Sequence, residues 1–154
     1  MLNLARTDST NPDFTALVEK LDADLAIRDG DDHAFYAQYN KTNMLRQAIV
    51  AYVDDAPAGC GAIKPFDETG VEVKRMYTNP EFRKRGIAST VLAELEDWAS
   101  ELGYKRCVLE TGKNQPEAIA MYLRNGYKVI PNYGQYANIP NSVCFEKFLE
   151  RKAD

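Results

Sequence analysis

The 154-residue sequence predicts an α/β fold, with residues 1–154 as one domain. Three observations carry this expectation. Between Val71 and Thr111 an extended run, a long amphipathic stretch and a second extended run follow one another, a strand–helix–strand unit whose strands should run parallel. Gln47 to Val53 and Ala58 to Lys64 are two β-rich runs joined by Asp54-Asp55-Ala56-Pro57, which reads as a hairpin. Further amphipathic stretches open at Asn11-Pro12 and Gln115-Pro116, where a cap residue or proline suits a first helical turn.

Taken in order, Leu2 to Thr7 alternates as a short edge strand, and Phe14, Leu17, Val18, Leu21 and Leu25 form the apolar face of the first helix. After the polar break Asp29-Gly30-Asp31-Asp32, His33 to Tyr39 reads as a second short helix whose Phe35, Tyr36 and Tyr39 suit core packing or a site wall. In the hairpin, Gly59 and Gly61 straddle Cys60, which points to a bulge or to crowded packing, because glycine otherwise weakens a strand. Asp67 to Gly70 turns the chain into the strand through Val71, Val73 and Met76, which Asn79-Pro80 ends. A helix then starts near Arg85. Its stripe is Ile87, Val91, Leu95, Trp98 and Leu102, and Gly103 stands where a C-terminal cap belongs. Lys105 to Thr111 is the next strand, and Ala118, Ile119, Tyr122 and Leu123 face one way on the following helix, stopped by Asn125-Gly126. Tyr127 to Ile130 and Ser142 to Leu149 are strands, the latter with Val143, Phe145 and Phe148 directed at the core. Between them, Pro131 to Asn141 is too long and too aromatic for a simple turn, which suggests work at a site. Glu150 to Asp154 reads as a charged, frayed tail.

The chemistry concentrates in Arg83, Lys84, Arg85, Gly86, Ile87 and Ala88. Unpaired N–H groups at a helix N-terminus, with small residues beside them, make a place where a pyrophosphate can approach the backbone. Three cations are unfavourable at the positive end of a helix dipole unless an anion joins them. Taken alone, the loop reads equally well as a solvated basic turn.

Arg83-Lys84-Arg85-Gly86-Ile87-Ala88 resembles the Gln/Arg-x-x-Gly-x-Gly/Ala signature of the GNAT superfamily of acyl-CoA-dependent N-acetyltransferases. Downstream, Gln115-Pro-Glu-Ala118 through Tyr122 and then Gly126-Tyr127 are similar to that family's Asn-x-x-Ala-x-x-x-Tyr and Gly-Phe/Tyr, with Gln115 where Asn is usual. The resemblance covers roughly residues 45 to 148. It implies the GNAT fold: a mixed, mostly antiparallel central sheet flanked by helices, with a splayed parallel strand pair that receives the pantetheine arm. It implies acetyl-CoA as co-substrate, held by Met76, Tyr77 and Thr78 on the central strand, by Arg83 to Ala88 at the pyrophosphate, and by Gln115 and Tyr122. It also implies Glu72 as general base, eleven residues before Arg83, and Tyr122 as general acid for the departing thiolate. Read without the resemblance, Glu72 is a strand carboxylate or a partner for Lys74, and Tyr122 is a core tyrosine.

Composition sets limits on the alternatives. A hydrophobic content of 45% and a charged content of 27% are those of a globular protein, and a net charge of −4 argues against general nucleic-acid binding. Cys60, Cys107 and Cys144 lack paired spacing and sit in apolar runs, as reduced core residues would. With one histidine, His33, neither a catalytic triad nor a multi-histidine zinc site fits, so no metal is expected. No signal peptide or membrane span is evident, and a cytoplasmic location is expected. The expected activity is transfer of acetyl from acetyl-CoA to a small-molecule or amino-acid-like amine by direct attack in a ternary complex. The alternatives are a non-catalytic acyl-CoA-binding module, or an acetyltransferase acting on a protein lysine or N-terminus. Neither nucleic acid nor membrane is an expected partner, and a homodimer is left open.

Overall fold

The computed structural model of this chain describes residues 1–29 and 44–150. Within them one sheet contains β1 (Leu2–Thr7), β2 (Gln47–Val53), β3 (Ala56–Pro65), β4 (Gly70–Thr78), β5 (Arg106–Gly112), β6 (Lys128–Ile130) and β7 (Ser142–Phe148), in the order β1-β2-β3-β4-β5-β7-β6. All neighbours are antiparallel except β4 and β5. The helices are α1 (Pro12–Asp29), α2 (Ile87–Glu101) and α3 (Pro116–Arg124).

Strand alternation divides the core into two layers. On β2, Ala48 and Val50 pack with Phe14, Leu17 and Val18 of α1, whereas Ile49 and Ala51 join the larger cluster with Val91, Leu92 and Leu95 of α2 and Met121 and Tyr122 of α3. The α1 face is set by its start: the Asn11 side-chain oxygen accepts from the Asp13 and Phe14 N–H groups at 2.8 and 3.2 Å, the capping geometry expected from Asn-Pro. A third cluster, Tyr136 and Cys144 with Tyr133, Ile130 and Ile139, lies under the 131–141 loop.

Several elements differ from the sequence expectation, each for a local reason. The β2–β3 turn is two residues, because Asp54 and Asp55 both take positive φ (47° and 70°), the requirement of the tight hairpin turn that matches strand twist. Ala56 and Pro57 therefore belong to β3. Helix α2 starts at Ile87 rather than near Arg85, since Gly86 is left-handed at φ 76°. Leu102 is the C-cap just past α2 and is 49% exposed, off the buried stripe. Phe148 is 68% exposed, whereas Phe145 is fully buried on the opposite face of β7. The helix expected at 33–39, with His33, Phe35, Tyr36 and Tyr39, lies outside the described residues, as does the tail beyond 150.

Two irregularities of β4 position the site. Against β3, Cys60 pairs with Tyr77 but Ala62 pairs with Lys74, so Arg75 and Met76 together oppose Gly61, a bulge with Arg75 at φ 61°. The glycine is required there: a Cβ on Gly61 would press on Met76 Sδ and lie 3.0 Å from Leu95 Cδ1. On its other edge β4 pairs with β5 only at Gly70–Arg106, Val71–Cys107 and Glu72–Val108. Beyond Glu72 the two parallel strands separate, and β5 continues its pairing with β7 alone.

Candidate active site

The separation of β4 from β5 opens a cleft of about 660 Å³. Leu21, Leu25 and Arg28 of α1 line one side and Ala118, Met121 and Tyr122 of α3 another. Above it, Arg28 reaches Glu117 at 2.9 Å, and Asn114 Nδ2 donates to the Arg28 carbonyl at 3.2 Å, so the two helices are tied across the opening. Every site residue expected from the sequence except Arg85 lines this cleft: Glu72, Met76, Tyr77, Thr78, Arg83, Lys84, Gly86, Ile87, Ala88, Gln115 and Tyr122. Arg85 turns aside, its guanidinium 5.5 Å from the Phe82 ring centre.

At one end the wall is the 79–88 loop. Asn79 anchors it: buried, its N–H donates to the Ala58 carbonyl at 2.8 Å and its side-chain amide to the Pro57 carbonyl at 2.9 Å. Arg83 Nε donates to the Thr78 carbonyl at 2.9 Å and its guanidinium lies 5.6 Å from the Tyr77 ring centre, which fixes a cation beside the cleft without neutralising it. Lys84 and Gly86 are both left-handed, at φ 66° and 76°. Alternation of that kind turns successive N–H groups to one side and forms an anion-binding concavity. No side chain caps α2, and nothing lies within 4 Å of the place a Gly86 Cβ would take. Gln115 sits at the start of α3, also without a side-chain cap bond.

The other end is charged and buried. Glu72, 3% exposed, accepts from the Tyr133 hydroxyl at 2.7 Å through Oε2, while Lys64 and Lys74 approach Oε1 at 3.7 and 3.9 Å. Burial pulls the Lys74 ammonium below its ordinary range, and Glu72 and Glu110 hold part of it up. Burial, then the charge of Glu72, pushes the Tyr133 hydroxyl far up. Tyr122, 6% exposed, has its ring against Tyr127 and Phe145, and burial followed by the charge of Glu110 raises its hydroxyl as well. It is therefore a phenol throughout the neutral range.

Sequence reasoning took the loop after β6 as a site element without selecting a residue; Tyr133 is the one that reaches Glu72. It missed Glu110 altogether. The only available signal was a carboxylate on the second parallel strand, at the even spacing from Val108 that sends both to one face. The cysteines are buried and unbridged, with Cys60 and Cys107 pushed up to about 12 and Cys144 to about 11 by burial, which suits packing and not nucleophilic attack. Among the described residues no group of three or more His, Cys, Asp and Glu side chains could hold a metal ion, and no helix is long and apolar enough to cross a membrane.

The chain is similar to known proteins in sequence and in fold. The acetyltransferase (GNAT) family model matches residues 8–127. YsnE of Bacillus subtilis, named as an uncharacterized N-acetyltransferase, is 35% identical over 101 residues, covering 64% of this chain and 67% of that protein. The IAA acetyltransferase of Azospirillum brasilense is 37% identical over 102 residues, 66% of this chain and 67% of its own. A solved Klebsiella pneumoniae structure, described as an acyl-CoA N-acyltransferase, superposes with a TM-score of 0.81 at 32% identity, covering 97% of this chain and 99% of that one. A GNAT acetyltransferase of Elizabethkingia anophelis, solved with acetyl-CoA bound, shares the fold at a TM-score of 0.69 and 16% identity over 96% of this chain and 98% of its own. A splayed parallel pair, an uncapped helix behind a basic glycine loop, and a family match over more than half the length lead to one conclusion: this chain belongs to the GNAT family of acetyltransferases and is an N-acetyltransferase.

Proposed function

We propose that the enzyme transfers an acetyl group from acetyl-CoA to the amine of a small molecule or amino-acid-like acceptor, by direct attack in a ternary complex. The observation that carries this reading is the continuity of one cleft from the cationic 83–88 loop to the buried Glu72 carboxylate. Acetyl-CoA suits both ends. The pyrophosphate would take the N–H groups of the loop and the start of α2, with Arg83 and Lys84 offsetting its charge. The pantetheine would lie along Met76, Tyr77 and Thr78, in the stretch of β4 that has no β5 partner, where backbone N–H groups also polarise the thioester carbonyl.

The acceptor arrives as an ammonium ion and must lose one proton before its nitrogen can attack. Glu72, its orientation fixed by Tyr133, takes that proton and passes it to solvent. The neutral nitrogen bonds to the thioester carbon, and the C–S bond breaks. Tyr122 gives its proton to the departing sulfur and recovers one from the new amide nitrogen, so one proton is released per turnover overall. No cysteine is acylated on this path, in keeping with the raised thiols.

The test is a screen of amines, amino acids and peptides with acetyl-CoA, reading free thiol. Thiol release dependent on a small amine is expected. Release only with peptides, or acetyl-CoA binding without turnover on any acceptor, would replace this reading by a protein acetyltransferase or a non-catalytic acyl-CoA-binding module respectively.

A further inference from the structure

Val73 and Met76 of β4 both pack into the α2-side cluster, although an uninterrupted strand sends only residues an even number apart to one face. Arg75, the extra residue, resets the alternation. Beyond it Tyr77 packs on the α1 side, as does its cross-strand partner Cys60. The backbone N–H groups that β4 turns toward the cleft between Met76 and Thr78 are therefore set by this bulge, in a stretch that has no β5 partner.

Arginine is a costly residue for the place. Its φ of 61° is left-handed, a conformation open to glycine and unfavourable for any residue with a Cβ, and glycine is the usual occupant of a left-handed bulge position. The side chain adds to the cost. It is 2% exposed, its Nη2 donates to Asp22 Oδ1 at 2.5 Å, and its buried Nε has no hydrogen-bond partner among the described residues. A buried cation with one carboxylate and an unsatisfied N–H contributes little to stability. What these contacts do is grip the backbone. Asp22 holds the side chain from α1, and the Cys60 thiol donates to the Arg75 carbonyl at 3.4 Å from β3. Two residues before Asp22, Lys20 donates to the Asn79 side-chain oxygen at 3.3 Å, so α1 ties down the end of β4 at two points. Arg75 lines the cleft, whereas Asp22 is 51% exposed and stands outside its lining.

We propose that Arg75 is a positioning residue: gripped by Asp22 and by the Cys60 thiol, it holds β4 in the left-handed bulge that aims the following N–H groups at the thioester carbonyl of acetyl-CoA. The proposal rests on the acetylation reading above, which lays the thioester along Met76 to Thr78. It is tested first without turnover, by difference infrared spectroscopy of bound acetyl-CoA isotope-labelled at the acetyl carbonyl carbon. A carbonyl that accepts aimed hydrogen bonds stretches at lower frequency, so the band in parent protein should lie below that of free acetyl-CoA. Asp22→Asn and Arg75→Ala should move it back toward the free value. With an acceptor both should lower kcat roughly 5–30-fold, the penalty of a left-handed residue that has lost its grip, with coenzyme A affinity little changed.

The conservative rescue is Arg75→Gly, because glycine takes the left-handed conformation freely. It should recover most of the band shift and of kcat relative to Arg75→Ala, while melting at a lower temperature. A residue needed only for packing would give the opposite order, with glycine the worse of the two in every measurement. If the Arg75 variants do not fold, Asp22→Asn decides, since it changes a half-exposed side chain outside the cleft. A shifted band in parent that stays the same in Asp22→Asn, or Arg75→Gly no better than Arg75→Ala, would overturn this assignment and leave the acetylation reading standing. An unshifted band in parent would overturn the placement of the thioester and this assignment with it. A screen without thiol release would sink the acetylation reading while the band still decided this one.

Discussion

The two ends of the cleft are built in opposite ways. The loop end comes from one contiguous stretch, residues 79–88, and relies on backbone direction: two left-handed residues, an uncapped helix and cations left exposed at its rim. The slot end gathers Glu72 and Lys74 from β4, Glu110 from β5, Tyr122 from α3, Tyr133 from the loop after β6 and Ser142 from β7, each held by another side chain or by packing. Binding a phosphate needs many weak N–H contacts that any side chains can frame, so local conformation suffices. Moving protons needs individual groups placed to within a hydrogen-bond length, and only packing from several elements fixes them so tightly. Substitutions at the proton-moving groups of the slot, Glu72 and Tyr122, should therefore strike turnover, and those at the loop should strike affinity.

The largest effect is expected at Glu72. Glu72→Gln should lower kcat by roughly 10²–10⁴-fold near neutral pH, with partial recovery as the pH rises and more acceptor is already neutral. Equal pH–rate profiles for Glu72→Gln and parent would reduce Glu72 to an ion-pair partner of Lys64 and Lys74 and blur the contrast between the two ends.

Tyr122→Phe comes next. It should keep acetyl-CoA affinity yet lose about 10²-fold in the chemical step, less with an acetyl donor whose thiol leaves more easily. Because burial and the charge of Glu110 raise the hydroxyl, parent enzyme should show no loss of activity from tyrosine ionisation at or below its ordinary pKa of about 10. A drop in melting temperature with turnover intact would make this hydroxyl a packing group.

The smallest effects belong to the loop, and there the conformation sharpens what is expected. Gly86 is at φ 76° with open space around a would-be Cβ, so a side chain there clashes with no protein atom and acts through backbone strain and through the ligand. If the variant relaxes out of the left-handed region when empty, binding must restore it, at a cost of about 1–2 kcal/mol, or roughly 5–30-fold in Kd for coenzyme A. Gly86→Val should meet or exceed that in calorimetry without changing kcat at saturation. Arg83→Ala should weaken binding only a few-fold, and by less as salt rises, since an exposed cation is screened. A large kcat defect from either would show that the two ends are coupled.

By itself the sequence determined the order of the described elements, and it singled out the 83–88 loop and two catalytic candidates that the structure brings to one cleft. Helix periodicity, Asn-Pro and Gln-Pro starts, and the Arg83 to Ala88 run all act within a few residues, so their signals survive in a linear string. Only the tertiary structure decided the rest. That β4 leaves β5 after Glu72 and bulges at Arg75 and Met76 against Gly61 has no mark in the string of β4 itself, and the left-handed Arg75 and Lys84 belong to residue types that do not advertise positive φ. Tyr133 meets Glu72 across 61 positions, and Ser142 meets Glu110 across 32. Contacts over such separations depend on sheet order and strand register, in which a one-residue slip would send each side chain to the opposite face; neither is written in the local pattern of any one strand.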